Sequence, residues 1–340
     1  MADDELEKKT ERSEGARGDE LSCQVQVSAV VVTYFTGPLL ARAIDALREQ
    51  AVVTEIIIVD NGNWEGEVDR AVGQNRVEPL IKIITGHGNV GFATACNLGA
   101  RSATGDFLLF LNPDAILPVG AVEKLIADVG DMHGSWVVGP KLVNADGTEQ
   151  QGSRRETLTP WRAFVEATRL YKVAPNHPYF QRFNLHNDPC PGHLCETPTI
   201  SGACFLLPRG DYQAIGGMDE RYFLHVEDID FFLRFSKAGG KVFYDPLVAV
   251  VHYKGSSRAS KFGVERRKVT SAIKYFDAHF SDAYPRPFLL LVSGLLWVGF
   301  FARESARIVK GLFSVLGLSR RRGTTAVSRA KSMNDQRSAR

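Results

Sequence analysis

At 340 residues and 44% hydrophobic content, the chain is long enough for one large domain or two small ones and apolar enough for a substantial core. Its formal charge of +2, from 41 basic and 39 acidic residues, gives no whole-surface attraction to nucleic acid. Five cysteines (Cys23, Cys96, Cys190, Cys195, Cys204) are an odd, scattered set, and no signal peptide precedes the first strand, so a disulfide framework is not expected and a reducing cytoplasm fits.

Residues 1–24 open with eight acids against four bases in the first twenty positions and carry almost nothing to pack, which reads as a disordered tail. Val27 to Thr33 is a β-branched run suited to a parallel strand buried on both faces. Pro38 then starts a helix through Gln50, with Leu39, Leu40, Ala43, Ile44 and Leu47 as its apolar stripe. Further buried strands are expected at Glu55 to Asp60, Ile81 to Thr85 and Asp106 to Leu111, with a helix at Gly91 to Thr104 between the last two. This alternation predicts a doubly wound α/β sheet, whose ligands bind beyond the carboxyl ends of the strands.

The second half is less regular. Residues 146–198 are rich in Pro, Gly, Asn, His and aromatic residues, with one helix near Pro160 to Tyr171, and read as a substrate-facing insertion. Within it, His186, Cys190, His193 and Cys195 match no standard zinc spacing. A strand at Thr199 to Leu207, a helix containing Phe231 to Ala238 and a strand pair around Lys241 to His252 follow. Pro287 to Ala302 has no charge but falls short of the ~20 apolar residues of a spanning helix. With Trp297 and the Arg/Lys-rich residues after it, this segment suits a helix in a membrane interface, the alternative being a core or oligomer-packing helix. Residues 319–340 reverse the sign of the amino-terminal tail, with seven bases against Asp335.

Several positions carry chemistry. Asp60-Asn61 closes the second strand, where an acceptor can bind a base NH or a ribose hydroxyl, and Tyr34 ends the first strand beside it; a turn-forming Asp-Asn-Gly is the plainer alternative. In Gly88-Asn89-Val90-Gly91-Phe92 the glycines permit close approach of backbone to a phosphate at a helix N-terminus. Asp114, at a strand mouth, can bind Mg²⁺ or Mn²⁺ bridging a diphosphate, Asn112 can bond a ribose, and His252 can add a nitrogen ligand or be structural. Glu227-Asp228 sits among aromatic and aliphatic residues, and burial there would raise a carboxylate's pKa toward the range useful for taking a proton from a hydroxyl. Asp230 and Arg234, four apart, are expected to pair.

Taken in order, Val30-Val31-Val32-Thr33-Tyr34, Ile58-Val59-Asp60-Asn61, Gly88 to Ala93 with Asn97-Leu98-Gly99, Leu111-Asn112-Pro113-Asp114, Ser201-Gly202-Ala203, Gly217 to Asp230 and His252 to Ser257 resemble the inverting family 2 glycosyltransferases of GT-A fold, in their bacterial rhamnosyltransferase-like branch. The resemblance spans residues 27 to about 257. It implies a Rossmann-like, mostly parallel central sheet and a hexosyltransferase acting on a nucleotide-sugar donor, with dTDP-L-rhamnose favoured. It implies Asp228 as general base, Asp114 and His252 as metal ligands, and Tyr34, Asp60, Asn61, Asn89, Gly91, Asn97, Asn112 and Glu227 around the donor. Asn112 departs from the common Asp-x-Asp form by losing one acid.

The expected organisation is a disordered tail at 1–24, a GT-A domain at 25–284, an apolar helical segment at 285–318 that suits a membrane, and a basic disordered tail at 319–340. The expected partners are the donor, a glycan or lipid-linked glycan acceptor and a peripheral membrane contact at the inner face of the cytoplasmic membrane, without nucleic acid. Two other classes fit parts of the pattern: an inactive nucleotide-binding membrane scaffold, and a nucleotidyltransferase. Thr33 to Gly37 holds no Lys or Arg for the triphosphate the latter requires.

Overall fold

The computed structural model describes residues 25–74, 78–174, 177–255 and 260–315. The expectations for both tails, for Cys23 and for Ser256-Ser257 lie outside these residues.

Four parallel strands form one half of the sheet: β1 (Val27–Thr33), β2 (Val53–Asp60), β3 (Leu80–Ile84) and β4 (Phe107–Leu111), in the spatial order β3-β2-β1-β4. Their apolar runs are continuous because both faces are covered. Val27, Ala29 and Val31 join one core cluster with α1 (Leu39–Arg48) and α2 (Glu67–Val72). Val30 and Val32 join another, with α3 (Phe92–Ser102). The register places Thr33 beside Asp60 and Val59 beside Ile84, so the carboxyl ends of these strands share one edge.

Beyond β4 the sheet becomes mixed. It continues through β10 (Cys204–Pro208), antiparallel to β4, then β6 (Trp136–Val143), β11 (Lys241–His252) and the two-residue β5 (Ala115–Ile116), with β8 (Cys195–Glu196) also paired to β11. Here α4 (Ala121–Val129) covers the first face, while α6 (Arg209–Ala214) and α7 (Glu227–Lys237) cover the second.

Two expected elements differ in the structure. The strand pair around Lys241 to His252 is one twelve-residue strand whose register against β6 shifts between Asp245 and Ala249. Pro246 has no N–H for the ladder and falls in this irregularity, where Asp245 Oδ1 accepts from Leu247 N at 2.9 Å. The single strand expected at Thr199 to Leu207 is broken at Ser201-Gly202-Ala203 into β9 (Thr199–Ile200) and β10, and β9 pairs with β7 (Arg154–Arg155).

A third core cluster joins Tyr222, Val226 and Ile229, at the start of α7, to α5 (Pro160–Thr168), α8 (Lys261–Phe280) and α9 (Arg286–Val315). The α9 helix continues past Arg303, Glu304 and Arg307, so it far exceeds the apolar run seen in the sequence. Its segment Arg286–Lys310, of mean hydropathy 1.5, is long and apolar enough to cross a membrane by length and composition. Leu289, Val292 and Phe300 face inward, whereas Leu290, Leu291, Val298, Phe301 and Ile308 are exposed.

Candidate active site

The first corner of the site is built by β5. Its pairing sets His252 opposite Ala115, and Tyr253 N donates to Asp114 O at 2.9 Å, so the last residue of β11 lies against the residue before β5. His252 Nε2 is 3.1 Å from Asp114 Oδ1 and 3.4 Å from Asn112 Nδ2, with Asp114 and His252 both buried. Gln150 fixes the tautomer. Its Nε2 donates to His252 O at 2.9 Å and to Asn144 Oδ1 at 3.1 Å, so Gln150 Oε1 is the atom 2.7 Å from His252 Nδ1 and Nδ1 carries the proton. In the neutral ring, Nε2 then presents its lone pair beside the Asp114 carboxylate. A histidine oriented through its other nitrogen beside an acid fits a divalent cation, with Asp114 and His252 supplying one oxygen and one nitrogen.

The second corner holds Glu227 and Asp228, the first two residues of α7. They follow His225 and Val226, whose φ angles of 66° and 76° are costly for a residue with a Cβ, and most of all for a β-branched one. Asp228 Oδ2 accepts from Arg155 Nη2 at 2.6 Å and from Gly202 N at 3.1 Å, while Oδ1 accepts from Ile229 N at 2.9 Å. A Cβ at position 202 would stand 2.7 Å from Asp228 Cβ, so only glycine permits this approach. Burial alone would raise the Asp228 pKa, but the Arg155 charge and these hydrogen bonds outweigh it and hold the carboxyl below its usual range. Glu227 behaves oppositely. Burial first, then the Asp228 charge, pushes it up, and its Oε2 is buried without a hydrogen-bond partner among the described residues. The expected upward shift by burial therefore applies to Glu227 and not to Asp228.

Backbone contacts join the corners. Leu111 pairs with Cys204, Asn112 N donates to Ala203 O at 2.7 Å, and Gly202, the next residue, holds Asp228. Asn112 and Asp228 are thus attached to adjacent residues of one short loop.

The residues expected around a donor divide into two groups. Tyr34 and Asp60 sit partly exposed at the ends of β1 and β2, and Asn89 is exposed in the loop after β3. Asp60 Oδ1 accepts from Gly62 N, Asn63 N and Asn63 Nδ2 at 3.1, 2.9 and 2.7 Å, so that oxygen builds the turn. Asn61 is buried and turned inward, donating to Asn89 Oδ1 and Gly91 O and accepting from Val90 N; it braces the glycine loop. Asn97 is also a brace, bonded to both backbone atoms of Met218, to Glu220 and to the Tyr212 hydroxyl. The close approach that Gly91 permits is to protein: a Cβ there would meet Phe223 O at 2.7 Å. The contacts of Asn61, Asn97 and Gly91 in this structure are thus with protein groups. Asp230 pairs with Arg234 at 2.7 Å, as its spacing predicted, and also with His279 at 2.6 Å.

Arg155 and Gln150 were not singled out by the sequence reading. They lie in the irregular segment, where neither periodicity nor spacing marks them. The Cys/His group does not form a metal centre: no set of three or more His, Cys, Asp or Glu side chains among the described residues is arranged to hold a metal, and Cys96, Cys190, Cys195 and Cys204 are free thiols.

The family model for glycosyl transferase family 2 matches residues 28–190, which include the glycine loop, Asn112, Asp114, Gln150 and Arg155. The match takes in just under half of the chain, which over those residues is similar to glycosyltransferase family 2. This glycosyltransferase is 28% identical over 246 residues to an N-acetylglucosaminyl-diphospho-decaprenol L-rhamnosyltransferase of Mycobacterium tuberculosis, covering 67% of this chain and 76% of that relative. Its fold is that of the GT-A enzymes. GalNAc-T7 with UDP, GalNAc and Mn²⁺ superposes with a TM-score of 0.55 at 16% identity, over 77% of this chain and 49% of that one. The mannosyltransferase PcManGT of Pyrobaculum calidifontis, in complex with GDP-Man and Mn²⁺, does so with a TM-score of 0.51 at 15% identity, over 93% and 88%. The transferase is rhamnosyltransferase-like in sequence.

Proposed function

We propose that this glycosyltransferase moves L-rhamnose, with inversion, from dTDP-L-rhamnose to a hydroxyl of a lipid-linked envelope glycan at the cytoplasmic face of a membrane. The observation that carries the reading is the Asp228 carboxylate, held charged by Arg155 and Gly202 one loop residue away from the Asn112–Asp114–His252 corner. The name of the mycobacterial relative supports the sugar and the lipid carrier, and the exposed apolar side chains of α9 support the membrane.

Chemically, Asp228 acts as general base. Oδ2 already accepts two hydrogen bonds and Oδ1 accepts one, so Oδ1 is the oxygen with an accepting position left for a hydroxyl. As the proton passes to Oδ1, the hydroxyl oxygen bonds to the anomeric carbon and the bond from that carbon to the diphosphate breaks, giving inversion. Glu227, kept protonated by burial, leaves the pair with a single negative charge on Asp228. Tyr34, Asp60, Asn89 and Asn112 border the donor, and Gln150 orients His252. Mg²⁺ or Mn²⁺ held by Asp114 and His252 would neutralise charge on the departing diphosphate.

The test is release of nucleoside diphosphate from a panel of nucleotide sugars, with a polyprenyl-diphosphate-linked glycan present. Rhamnose transfer from dTDP-L-rhamnose in preference to UDP- and GDP-sugars is expected. Preference for another sugar would overturn the donor assignment, and pyrophosphate release from a nucleoside triphosphate would overturn the reaction.

A further inference from the structure

From Arg155 the chain runs through Glu156, Thr157 and Leu158 to Thr159, which caps α5 by accepting from Arg162 N at 3.1 Å. Four residues of chain span at most about 14 Å, so this cap stays close to the residue that holds Asp228. Here α5, the short turn Pro178–Phe180 and the residues leading into α9 border an open cleft of about 410 Å³. None of the residues placed around the donor, the cation or the base lines it.

Three of the seven residues that line the cleft are aromatic, Trp161, Tyr179 and Tyr284, and one, Arg162, is charged. Trp161 lies near-parallel to Phe164, Phe180 and Phe288, with centroids at 5.5, 6.5 and 6.2 Å, and its Nε1 donates to Tyr179 O at 2.6 Å. Tyr284 lines the side toward α9 and stacks on Phe288 at 5.7 Å, and Tyr179 is 71% exposed. Arg162 is held by Glu156 Oε2 at 2.9 Å and Thr157 O at 3.0 Å, which fixes its guanidinium on the side of the chain that leads from Asp228. Past Phe288 the apolar surface continues into the exposed Leu290 and Leu291 of α9.

A pyranose stacks on an open ring face, whereas the Trp161 ring is engaged by three near-parallel neighbours. A flexible hydrocarbon with an anionic head suits a trough lined by three aromatic rings, whose lining cation Arg162 is held in place by its ion pair with Glu156 and which leads toward an apolar helix. We infer that this cleft holds the diphosphate and first isoprene units of a polyprenyl-diphosphate-linked acceptor, an assignment that rests on the proposed transferase reading. Arg162 meets the phosphates, Trp161, Tyr179 and Tyr284 cover the chain, and the acceptor sugar projects toward Asp228.

Farnesyl diphosphate, titrated calorimetrically below its micelle concentration into the full chain, is the probe. Tyr179→Ser and Trp161→Leu are expected to weaken its binding about tenfold each while dTDP and UDP bind as in the wild type. Because Tyr179 is exposed, its replacement reports on the cleft even where Trp161→Leu fails to fold. Binding unaffected by Tyr179→Ser, or none to a wild type that binds dTDP or UDP, would overturn the inference. Weakening of methyl glycoside binding alone would assign the cleft to sugar and overturn it as well. A wild type that binds farnesyl diphosphate through these residues but no nucleotide would support the cleft and remove the transferase reading, so the two failures are distinguishable.

Discussion

Replacing Arg155 by glutamine removes the one cation bonded to Asp228 among the described residues and leaves the carboxylate buried with the backbone donors Gly202 N and Ile229 N. The two side chains meet at 2.6 Å and are 11% and 15% exposed, so little solvent screens the pair. An opposite charge at such range lowers a carboxyl pKa by about 1–3 units, equivalent to about 1.4–4 kcal/mol. In Arg155→Gln, burial is opposed only by the hydrogen bonds from Gly202 N and Ile229 N, and the Asp228 pKa rises. The base works only when unprotonated, so the acidic limb of the pH–rate profile moves to higher pH by about 1–3 units. The assay is nucleoside diphosphate release across the acidic and neutral range, with donor affinity measured on the same samples. Arg155→Lys, which keeps the charge but not the planar fork, should recover part of the shift. An acidic limb that stays in place or moves to lower pH in Arg155→Gln would refute the electrostatic argument.

Other perturbations separate the remaining parts. Gln150→Leu frees His252 Nδ1 of its partner, and a loss of about 10–100-fold in Mn²⁺ affinity or in turnover is expected, read by calorimetry in the presence of nucleoside diphosphate; unchanged values would remove the cation from that corner. Glu227→Gln mimics the protonated acid and should keep turnover within about tenfold of wild type near neutral pH, whereas a larger loss with the fold intact would make Glu227 the working carboxylate. Glu55 is buried at the opposite end of the strands, bonded to Ser28, Thr104 and Lys82, and its pKa is lowered from 4.5 to about 2: burial raises it, and the Lys82 bond followed by those from Ser28 and Thr104 outweighs that. Its contribution, about 3 kcal/mol at most, is present above pH 4.5 and is lost as pH falls toward about 2, so urea midpoints of wild type and Glu55→Gln should converge through that window; a gap that persists at the acid end would contradict the ionic origin.

The parallel half of the fold was readable because strands covered on both faces leave uninterrupted apolar runs, as Val27–Thr33 and Phe107–Leu111 do. Boundaries there moved by only one or two residues. The mixed half was harder to read, since β5 and β7 are two residues each and carry no periodicity of their own. Those two strands build the candidate site: β5 brings His252 to Asp114, and β7 carries Arg155 to Asp228. Acidic residues announced themselves by their place at strand and helix ends. Their partners Gln150 and Arg155 act across 102 and 73 residues of chain, a separation that spacing rules do not reach. The asparagines were misleading for a related reason. Asn61 and Asn97 lie beside the expected pocket, yet their amides satisfy buried backbone and side-chain groups that would otherwise lack partners.

The central claim is that Asp228 takes the acceptor proton. Wild type and Asp228→Asn, compared for dTDP-L-rhamnose affinity by calorimetry and for transfer to a polyprenyl-diphosphate-linked glycan, test it most directly. The account predicts donor affinity within about threefold of wild type and turnover reduced by at least about 10²-fold in the variant. Near-normal transfer by Asp228→Asn would contradict it.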